Sequence, residues 1–165
     1  STDEEKIKEI VGNYNIDLYN RTQELASDKA NLVEVCSDIL KKESQKGLNY
    51  EIIFCLYATS PLRDSEDMKN VFNIFCNKKA HSVVAVTSFM HYPYQALAVN
   101  KDQSLHYYWN ELGTKRSDNL PTLVAGNGSI YAIKTDKLIK QKRFISKINA
   151  LNIKYQFGNQ LILTL

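Results

Sequence analysis

The chain has 165 residues, of which 44% are hydrophobic and 24% are charged, and its net charge is +3. This length and composition predict one globular domain, residues 1–165, with enough apolar side chains for a core. Because no apolar run approaches the roughly 18 residues of a membrane span, and the first six residues are polar or charged, we expect no membrane span, no signal peptide and a cytoplasmic location.

The first part of the chain predicts two helices joined by a polar stretch. A capping box at Thr2, followed by apolar residues at helical spacing, predicts a helix that ends at Gly12. A short strand is predicted over 16–19 and a polar loop over 21–28. From residue 29 a second helix with one apolar face runs to about Gly47.

The middle of the chain predicts a strand, a helix and a second strand. Residues 50–57 are nearly all apolar, which is typical of a strand covered on both faces. The turn Ala-Thr-Ser-Pro-Leu-Arg follows over 58–63. Asp64 or Ser65 caps a third helix, whose inward face is predicted to carry Met68, Val71, Phe72 and Phe75. Another apolar strand is predicted over 82–87. This spacing indicates a βαβ unit, so we expect an α/β fold with a mainly parallel, twisted sheet.

The segment 89–123 interrupts this pattern. It is long for a connection in an α/β domain and rich in aromatic residues, which favours a lid or an arm that packs on a partner; ordinary core aromatics are the alternative. These aromatics are Tyr92, Tyr94, Tyr107, Tyr108 and Trp109. After this segment the pattern predicts a strand over 129–133, a short helix over 136–141 and a final strand over 160–165.

Cysteines, histidines and lysines exclude several classes of site. The three cysteines form no C-x-x-C pair and lie in apolar runs, so they predict buried thiols in a reducing compartment. The histidines are too scattered to predict a zinc site. Basic residues gather between 134 and 154, but no aromatic residues interleave with them up to Arg143. A solvated helix face is therefore favoured over a nucleic-acid partner.

Three loops are candidates for ligand binding, because ligands in open α/β sheets bind at the carboxyl ends of the strands. They are 21–31, with an arginine before a helix N-terminus; 57–63, after the most apolar strand; and Gly126-Asn127-Gly128, predicted as a turn. Each signal is weak by itself. Neither G-x-x-x-x-G-K-[ST] nor G-x-G-x-x-G is present, and no nucleophile elbow occurs, so these residues predict only a ligand-binding α/β domain.

Taken in order, these segments resemble the acylneuraminate cytidylyltransferase family. The resemblance runs from residue 1 to about 135, and more loosely to the end. It is carried by Ser1-Thr2-Asp3, Arg21-x-x-Glu24-Leu25-Ala26-Ser27-Asp28-x-Ala30, Leu56-Tyr57-Ala58-Thr59-Ser60-Pro61-Leu62-Arg63, Ser82-Val83-Val84-Ala85-Val86, Tyr92-Pro93, Arg116 with Leu120-Pro121, and Asn127-Gly128-Ser129-Ile130-Tyr131. Within the family, Tyr57 and Leu120-x-Thr122-Leu123 resemble the pseudaminic acid branch; N-acetylneuraminate and legionaminate are the alternatives.

The resemblance implies a Rossmann-like nucleotidyltransferase fold of the glycosyltransferase-A type with three layers. It implies a homodimer in which 89–123 is a dimerisation arm that reaches into the neighbouring active site. The implied reaction joins CTP to a nine-carbon acidic sugar (a nonulosonic acid), releases pyrophosphate and uses Mg²⁺. By position, the nucleotide-binding residues would be Arg21, Ala30, Asn31, Thr59 and Ser60. The sugar-binding residues would be Tyr57, Gln95, Arg116, Asn127 and Tyr131, of which Arg116 (facing the sugar carboxylate) and Tyr57 are the catalytic candidates.

The sequence also departs from the family pattern. The family's first strand and basic phosphate loop would precede residue 1, and its metal-binding Asp-x-Asp pair would follow residue 165. We therefore expect the isolated chain to be inactive and to supply no metal ligand. Gln95 stands where relatives usually carry Lys or Arg, and Ala125 where the neuraminate branch has Arg. These departures motivate an alternative: a non-catalytic remnant that serves as a dimerisation module or binds sugar or nucleotide.

Overall fold

The structure is a computed structural model that describes residues 1–145 and the strand Leu161–Thr164. Helices and strands alternate along the chain. In order they are α1 (Glu5–Val11), α2 (Leu32–Gln45), β1 (Ile52–Leu56), α3 (Ser65–Asn77), β2 (Ser82–Ser88), a 3₁₀ helix (Pro93–Gln95), β3 (Leu97–Val99), β4 (Leu105–Tyr107), α4 (Asn110–Gly113), a 3₁₀ helix (Ser117–Asn119), β5 (Val124–Lys134), α5 (Thr135–Gln141) and β6 (Leu161–Thr164).

The main sheet has four described strands in the order β1-β5-β2-β6, and each neighbouring pair is antiparallel. The predicted α/β class is confirmed, but the prediction of a mainly parallel sheet is wrong. Strands β1 and β2 do run in the same direction with α3 between them, as a βαβ unit requires. However, β5 lies between them. The chain returns from 89–123 at the end where β2 stops, so β5 must run in the opposite direction.

Helices cover both faces of the sheet, because alternate residues of a strand face opposite sides. Ile130 and Ala132 of β5 join a buried cluster with residues of α3. On the other face, Tyr131 and Ile133 pack with residues of α2 and α5. The result is three layers: α3 on one face, the sheet, and α2 with α5 on the other face.

Capping boxes fix where the two long helices begin. The Asn31 side chain accepts a hydrogen bond from the Glu34 N–H, and the Glu34 carboxylate accepts one from the Asn31 N–H. Asp64 and Asp67 make the same reciprocal pair at the start of α3, so the predicted cap at Asp64 is confirmed. Each box satisfies backbone donors that a helix leaves unpaired in its first turn.

The predictions for the N-terminal residues are partly wrong. Helix α1 is present, but its N-cap is Glu4, and the Thr2 hydroxyl accepts from the Glu4 N–H without forming a capping box. The strand predicted over 16–19 is absent. Those residues form turns and extended chain with exposed apolar side chains, and the nearest sheet-like pairing is a single parallel bridge between Thr2 and Asn20.

Three predictions of burial are also wrong. Strand β1 is half-buried, because it forms an edge of the described sheet. In α3, Phe72 is half exposed and Ile74 is buried in its place. Of the three cysteines predicted to be buried, Cys36 is buried and Cys55 is half-buried, whereas Cys76 is exposed.

Residues 89–123 form a separate hairpin, β3 with β4, flanked by short helices. Its aromatic residues pack on one another: the ring centroids of Tyr94 and Trp109 are 6.0 Å apart, and those of Tyr108 and Trp109 are 4.8 Å apart. Neither core cluster of the main sheet contains them. We call this segment the arm; its predicted role in dimerisation stays a prediction.

The end of the chain is described in part. The short helix predicted over 136–141 is confirmed as α5, and the final strand is confirmed as β6. Of the basic residues between 134 and 154, those after 145 lie outside the described residues. Within the described part of the chain, no helix combines the length and apolar character that crossing a membrane demands.

Candidate functional site

Two strands end and one begins at the same edge of the main sheet. Leu56, the last residue of β1, pairs with Ile130, and Ser88, the last residue of β2, pairs with Val124 at the start of β5. We call this end of the sheet, where β1 and β2 stop, the carboxyl edge. The Thr-Ser-Pro turn follows β1 here, and both ends of the arm join the sheet here, so ligand-binding loops converge at this edge.

Gly126-Asn127-Gly128 lies inside β5 and is not the turn that the sequence predicts. The pairing of β5 with β2 shifts between Val84 and Val86, opposite these residues. Gly128 has a φ of 72°, and the Asn127 Oδ1 accepts the Ser129 N–H at 2.9 Å. A residue with positive φ in a strand is typical of a β-bulge, which turns side chains at a sheet edge. We call 126–128 the bulge.

Tyr57 packs directly on the bulge. A Cβ atom at Gly128 would lie 3.1 Å from Cδ2 of the Tyr57 ring, so any larger residue would crowd the ring in addition to straining the positive φ. The rings of Tyr57 and Tyr131 are 5.6 Å apart and tilted by 42°, which is a favourable aromatic arrangement. Tyr57 is 38% exposed, so a ligand can reach it.

The Tyr57 hydroxyl is suited to donating a hydrogen bond. Partial burial raises the pKa of the Tyr57 phenol, and the neighbouring Tyr131 raises it further. A phenol whose pKa is above its usual value of about 10 stays protonated at neutral pH. Tyr57 can therefore orient a ligand oxygen, whereas it is poorly suited to act as a general base.

Arg63 joins the turn to the bulge. Its Nη1 donates to the Ser129 carbonyl at 2.7 Å and to the Tyr57 carbonyl at 3.2 Å. The Ser60 N–H also donates to the Tyr57 carbonyl, at 3.3 Å, and closes the turn. No role for Arg63 was predicted from the sequence. Its importance could have been recognised from its position as the last residue of the Leu-Tyr-Ala-Thr-Ser-Pro-Leu-Arg segment, where a cation directly follows the turn.

The loop of Arg21 lies near the end of β1. The Arg21 guanidinium donates to the hydroxyl and the carbonyl of Ser1 at 3.0 and 3.1 Å. A hydrogen bond with Cys36 lowers the pKa of the Cys55 thiol, and the charges of Arg21 and Arg63 lower it further. Arg21 is therefore close enough to β1 to act electrostatically on Cys55, the residue before the last one of that strand.

The other nucleotide-side candidates lie in exposed turns. Asn31 is the N-cap of α2, so its Oδ1 already accepts a backbone N–H. Ala30 is half-buried and lines a surface cleft of about 610 Å³ together with residues of the same loop and of α2. Thr59 is exposed and Ser60 half-buried, both in the turn after β1.

Arg116 and Gln95 lie on the arm. The Arg116 side chain is 83% exposed, and its Nη2 lies 3.1 Å from Asp118 Oδ2. Gln95 is exposed at the end of a 3₁₀ helix. Within residues 1–145, no hydrogen bond, ion pair or ring contact joins either side chain to Tyr57 or Tyr131. The structure thus brings Tyr57, Asn127 and Tyr131 together at the bulge, whereas Arg116 and Gln95 make none of these contacts with the two tyrosines in the described part of the chain.

A larger cavity than the Ala30 cleft, about 940 Å³, lies elsewhere. Residues of α2, the Leu48-Asn49-Tyr50 segment and α5 line it, and Asn31 is its one predicted site residue. It lies near the beginning of β1, where the Thr135 hydroxyl donates to the Tyr50 carbonyl at 2.6 Å. This is the edge opposite Tyr57. Size alone therefore does not make it the site.

The described residues contain no cluster of metal-binding side chains. In the described part of the chain, no group of three or more His, Cys, Asp or Glu side chains could hold a metal ion. Magnesium prefers oxygen ligands that include carboxylates, so the described residues do not fit a magnesium site by themselves.

Comparison with known proteins decides the family. The family model described as Cytidylyltransferase matches residues 1–147. The chain belongs to the cytidylyltransferase family. This match covers the turn after β1, the arm and the bulge, and it confirms the resemblance on which the site assignment depends.

Curated relatives of this cytidylyltransferase are similar at moderate identity. The chain is 28% identical over 155 residues to the post-translational flagellin modification protein B of Campylobacter coli, covering 93% of this chain and 66% of that protein. It is 26% identical over 149 residues to a pseudaminic acid cytidylyltransferase of Campylobacter jejuni and 25% identical over 157 residues to the CMP-N,N'-diacetyllegionaminic acid synthase of Legionella pneumophila. These two alignments each cover 89% of this chain and 63% of the relative. The chain thus spans about two thirds of the length of the relatives it matches.

Proposed function

We propose that the protein containing this chain transfers CMP from CTP to the anomeric hydroxyl of a nonulosonic acid and releases pyrophosphate. The observation that carries the proposal is the carboxyl edge, where the Tyr57 turn and the bulge meet in a member of the cytidylyltransferase family. The printed names of the relatives support the class of acceptor. Because those relatives are longer than this chain, the proposal concerns the full-length protein.

On the nucleotide side, Arg21, Ala30, Asn31, Thr59 and Ser60 would hold CTP. Nucleotidyl transfer needs little covalent chemistry from the protein, since positioning and charge neutralisation supply most of the catalysis. Arg21 would contribute a fixed positive charge near the nucleotide. Its hydrogen bonds to Ser1 support this role, because they hold the guanidinium in place while its face stays exposed.

On the sugar side, Tyr57, Asn127 and Tyr131 would form the acceptor pocket. Tyr57 and Tyr131 present an aromatic surface, and the protonated Tyr57 phenol would donate to a sugar oxygen. Arg116 would bind the sugar carboxylate, for which the forked guanidinium is well suited. Gln95 would add a neutral amide where the family usually has a cation.

Arg116 and Gln95 would reach the sugar through a homodimer in which the arm of one chain approaches the carboxyl edge of the other. The exposed apolar residues of the arm support this part of the proposal: Met90, Val99 and Tyr108 are 95%, 71% and 67% exposed. Exposed apolar surface, when contiguous, marks sites of association. Sedimentation of the full-length protein should give a dimer, and Val99→Ser with Tyr108→Ser should shift it toward a monomer.

Magnesium belongs to the proposal through the family resemblance alone. Since residues 1–145 offer no carboxylate cluster, its ligands are expected elsewhere in the full-length protein. We assign no step of the reaction to it.

Pseudaminic acid is the proposed acceptor, with legionaminic and N-acetylneuraminic acid as the alternatives. Tyr57 and Leu120-x-Thr122-Leu123 support it, as do the names of relatives from Campylobacter jejuni. Gln95 and Ala125 instead favour a non-catalytic dimerisation or ligand-binding module, because they remove two cations that family members use.

The test is to express the full-length protein and to supply CTP with each of the three acids in turn. Pyrophosphate release and the mass of the CMP-sugar report the reaction. Pseudaminic acid should give the highest kcat/KM. Absence of pyrophosphate with every acid, in a folded protein that still binds CTP, would overturn the enzyme proposal in favour of the binding module.

A further inference from the structure

We infer that Arg63 is a positioning residue that holds the bulge against the Tyr57 turn and thereby sets the geometry of the acceptor pocket. This inference rests on the proposed function, because it assigns the sugar half of that same site. The observation behind it is one guanidinium nitrogen that donates to the carbonyls of Tyr57 and Ser129, at 3.2 and 2.7 Å.

The sheet explains why a cation is needed at this point. The ladder between β1 and β5 ends at the pair of Leu56 with Ile130. The next residues along the two strands are Tyr57 and Ser129. The carbonyls of both accept hydrogen bonds from Arg63 instead of from the opposite strand. Two acceptors cannot pair with one another, so a donor must lie between them. Arg63 takes over where the ladder stops, through charge-assisted hydrogen bonds, which are stronger than neutral ones.

The position of Arg63 also explains why its effect should be selective. Arg63 and Ser129 are 66 residues apart in sequence, so this contact closes the acceptor pocket from two distant segments. The Arg21 loop is held by a different set of contacts, to Ser1. Loss of Arg63 should therefore loosen Tyr57, Gly128 and Tyr131, and with them Thr59 and Ser60 of the same turn, while the Arg21 loop keeps its shape. Use of the acid should fall more than use of CTP.

The experiment compares Arg63→Gln and Arg63→Lys in the full-length protein, with Lys69→Gln as the control. Lys69 is an exposed cation on α3 that makes only a long ion pair, 3.9 Å, with Glu66. For Arg63→Gln we expect kcat/KM for the sugar acid to fall about 10- to 100-fold, because small errors in substrate position carry costs of this order. The KM for CTP should change less than kcat/KM for the acid, because the Arg21 loop keeps its own contacts to Ser1. Lysine should restore part of the loss, and Lys69→Gln should match the unmodified protein.

A second variant reaches the same contact from the other side. Gly128→Ala places a Cβ against the Tyr57 ring, so it should produce the same acid-selective loss. The double variant with Arg63→Gln should lose less than the product of the two single effects, since both act on one contact. Equal loss of CTP and acid use in Arg63→Gln, or strictly multiplicative effects in the double variant, would overturn the inference.

Hydrogen exchange tests the positioning role of Arg63 independently of enzymatic activity. Amides of 57–63 and 124–131 should exchange faster in Arg63→Gln than in Lys69→Gln, since opening of the turn from the bulge exposes them. Unchanged exchange there would overturn the inference whatever the enzyme does. An inactive parent protein with the expected exchange difference would instead count against the proposed function alone.

Discussion

Replacement of Arg116 by alanine should strongly reduce use of the acid and leave the stability of the fold almost unchanged. In one chain Arg116 pairs with Asp118 at 3.1 Å, but the two side chains are 83% and 60% exposed. Two unit charges at about 4 Å in water attract by about 1 kcal/mol, and exposed pairs contribute between about 0 and 1 kcal/mol after entropy and screening. Arg116→Ala should therefore change the free energy of unfolding by less than about 1 kcal/mol.

The expected effect on the reaction is larger. If Arg116 binds the sugar carboxylate in a water-excluded dimer site, truncation of this charge pair should cost about 2–4 kcal/mol. At about 1.4 kcal/mol per factor of ten, this corresponds to a loss of about 30- to 700-fold in kcat/KM for the acid. Steady-state kinetics with each substrate varied in turn, together with a urea titration, measure both quantities.

Asp118→Asn is the matched control for Arg116→Ala. It removes the same ion pair and keeps the cation, so acid use should be retained or improved. The assignment of Arg116 is refuted if Arg116→Ala raises the KM of CTP as much as that of the acid. A loss of stability well above 1 kcal/mol would refute the argument from exposure.

Three further predictions concern the rest of the chain. Arg21→Ala should raise the KM for CTP by a factor that corresponds to about 2–4 kcal/mol, with little change in the KM for the acid. The same steady-state kinetics measure both KM values, and the reverse pattern would refute the role of Arg21. Hydrogen bonds, chiefly from Lys46, hold the pKa of Glu43 at about 2, against 4.5 ordinarily. This stabilisation is complete above about pH 4.5 and is lost as the pH falls toward 2, so Glu43→Gln should flatten the acid limb of a denaturation curve. The Ser129 hydroxyl is buried without a partner in the described structure, so Ser129→Ala should keep or raise the unfolding free energy by about 1 kcal/mol.

The sequence predicts most helices and strands because their signals are local. Capping residues such as Asp64, apolar faces of helices and apolar strand runs each act within a few residues. The strand predicted over 16–19 fails because a short apolar alternation forms a strand only where a neighbour can pair with it.

The order of strands could not be read from the same signals. Periodicity shows that β1 and β2 exist, but it does not show that a later strand lies between them. The bulge was predicted as a turn for a similar reason: glycine permits a positive φ in both structures, and the pairing with β2 decides between them. The predicted contact between the Tyr57 turn and the bulge is confirmed, whereas a cleft shared with the Arg21 loop and the ligand roles of these residues stay predictions.

The central position of β5 has a consequence for synthesis of the chain. A ribosome releases β1, α3, β2 and the whole arm before it releases Val124–Lys134, the strand that fills the gap in the sheet. Until then, the newly made β1 and β2 each carry an open backbone edge, and such edges invite pairing with other chains. The time needed to synthesise the arm therefore delays closure of the sheet. A nascent chain whose translation stalls within the arm should be a substrate for chaperones.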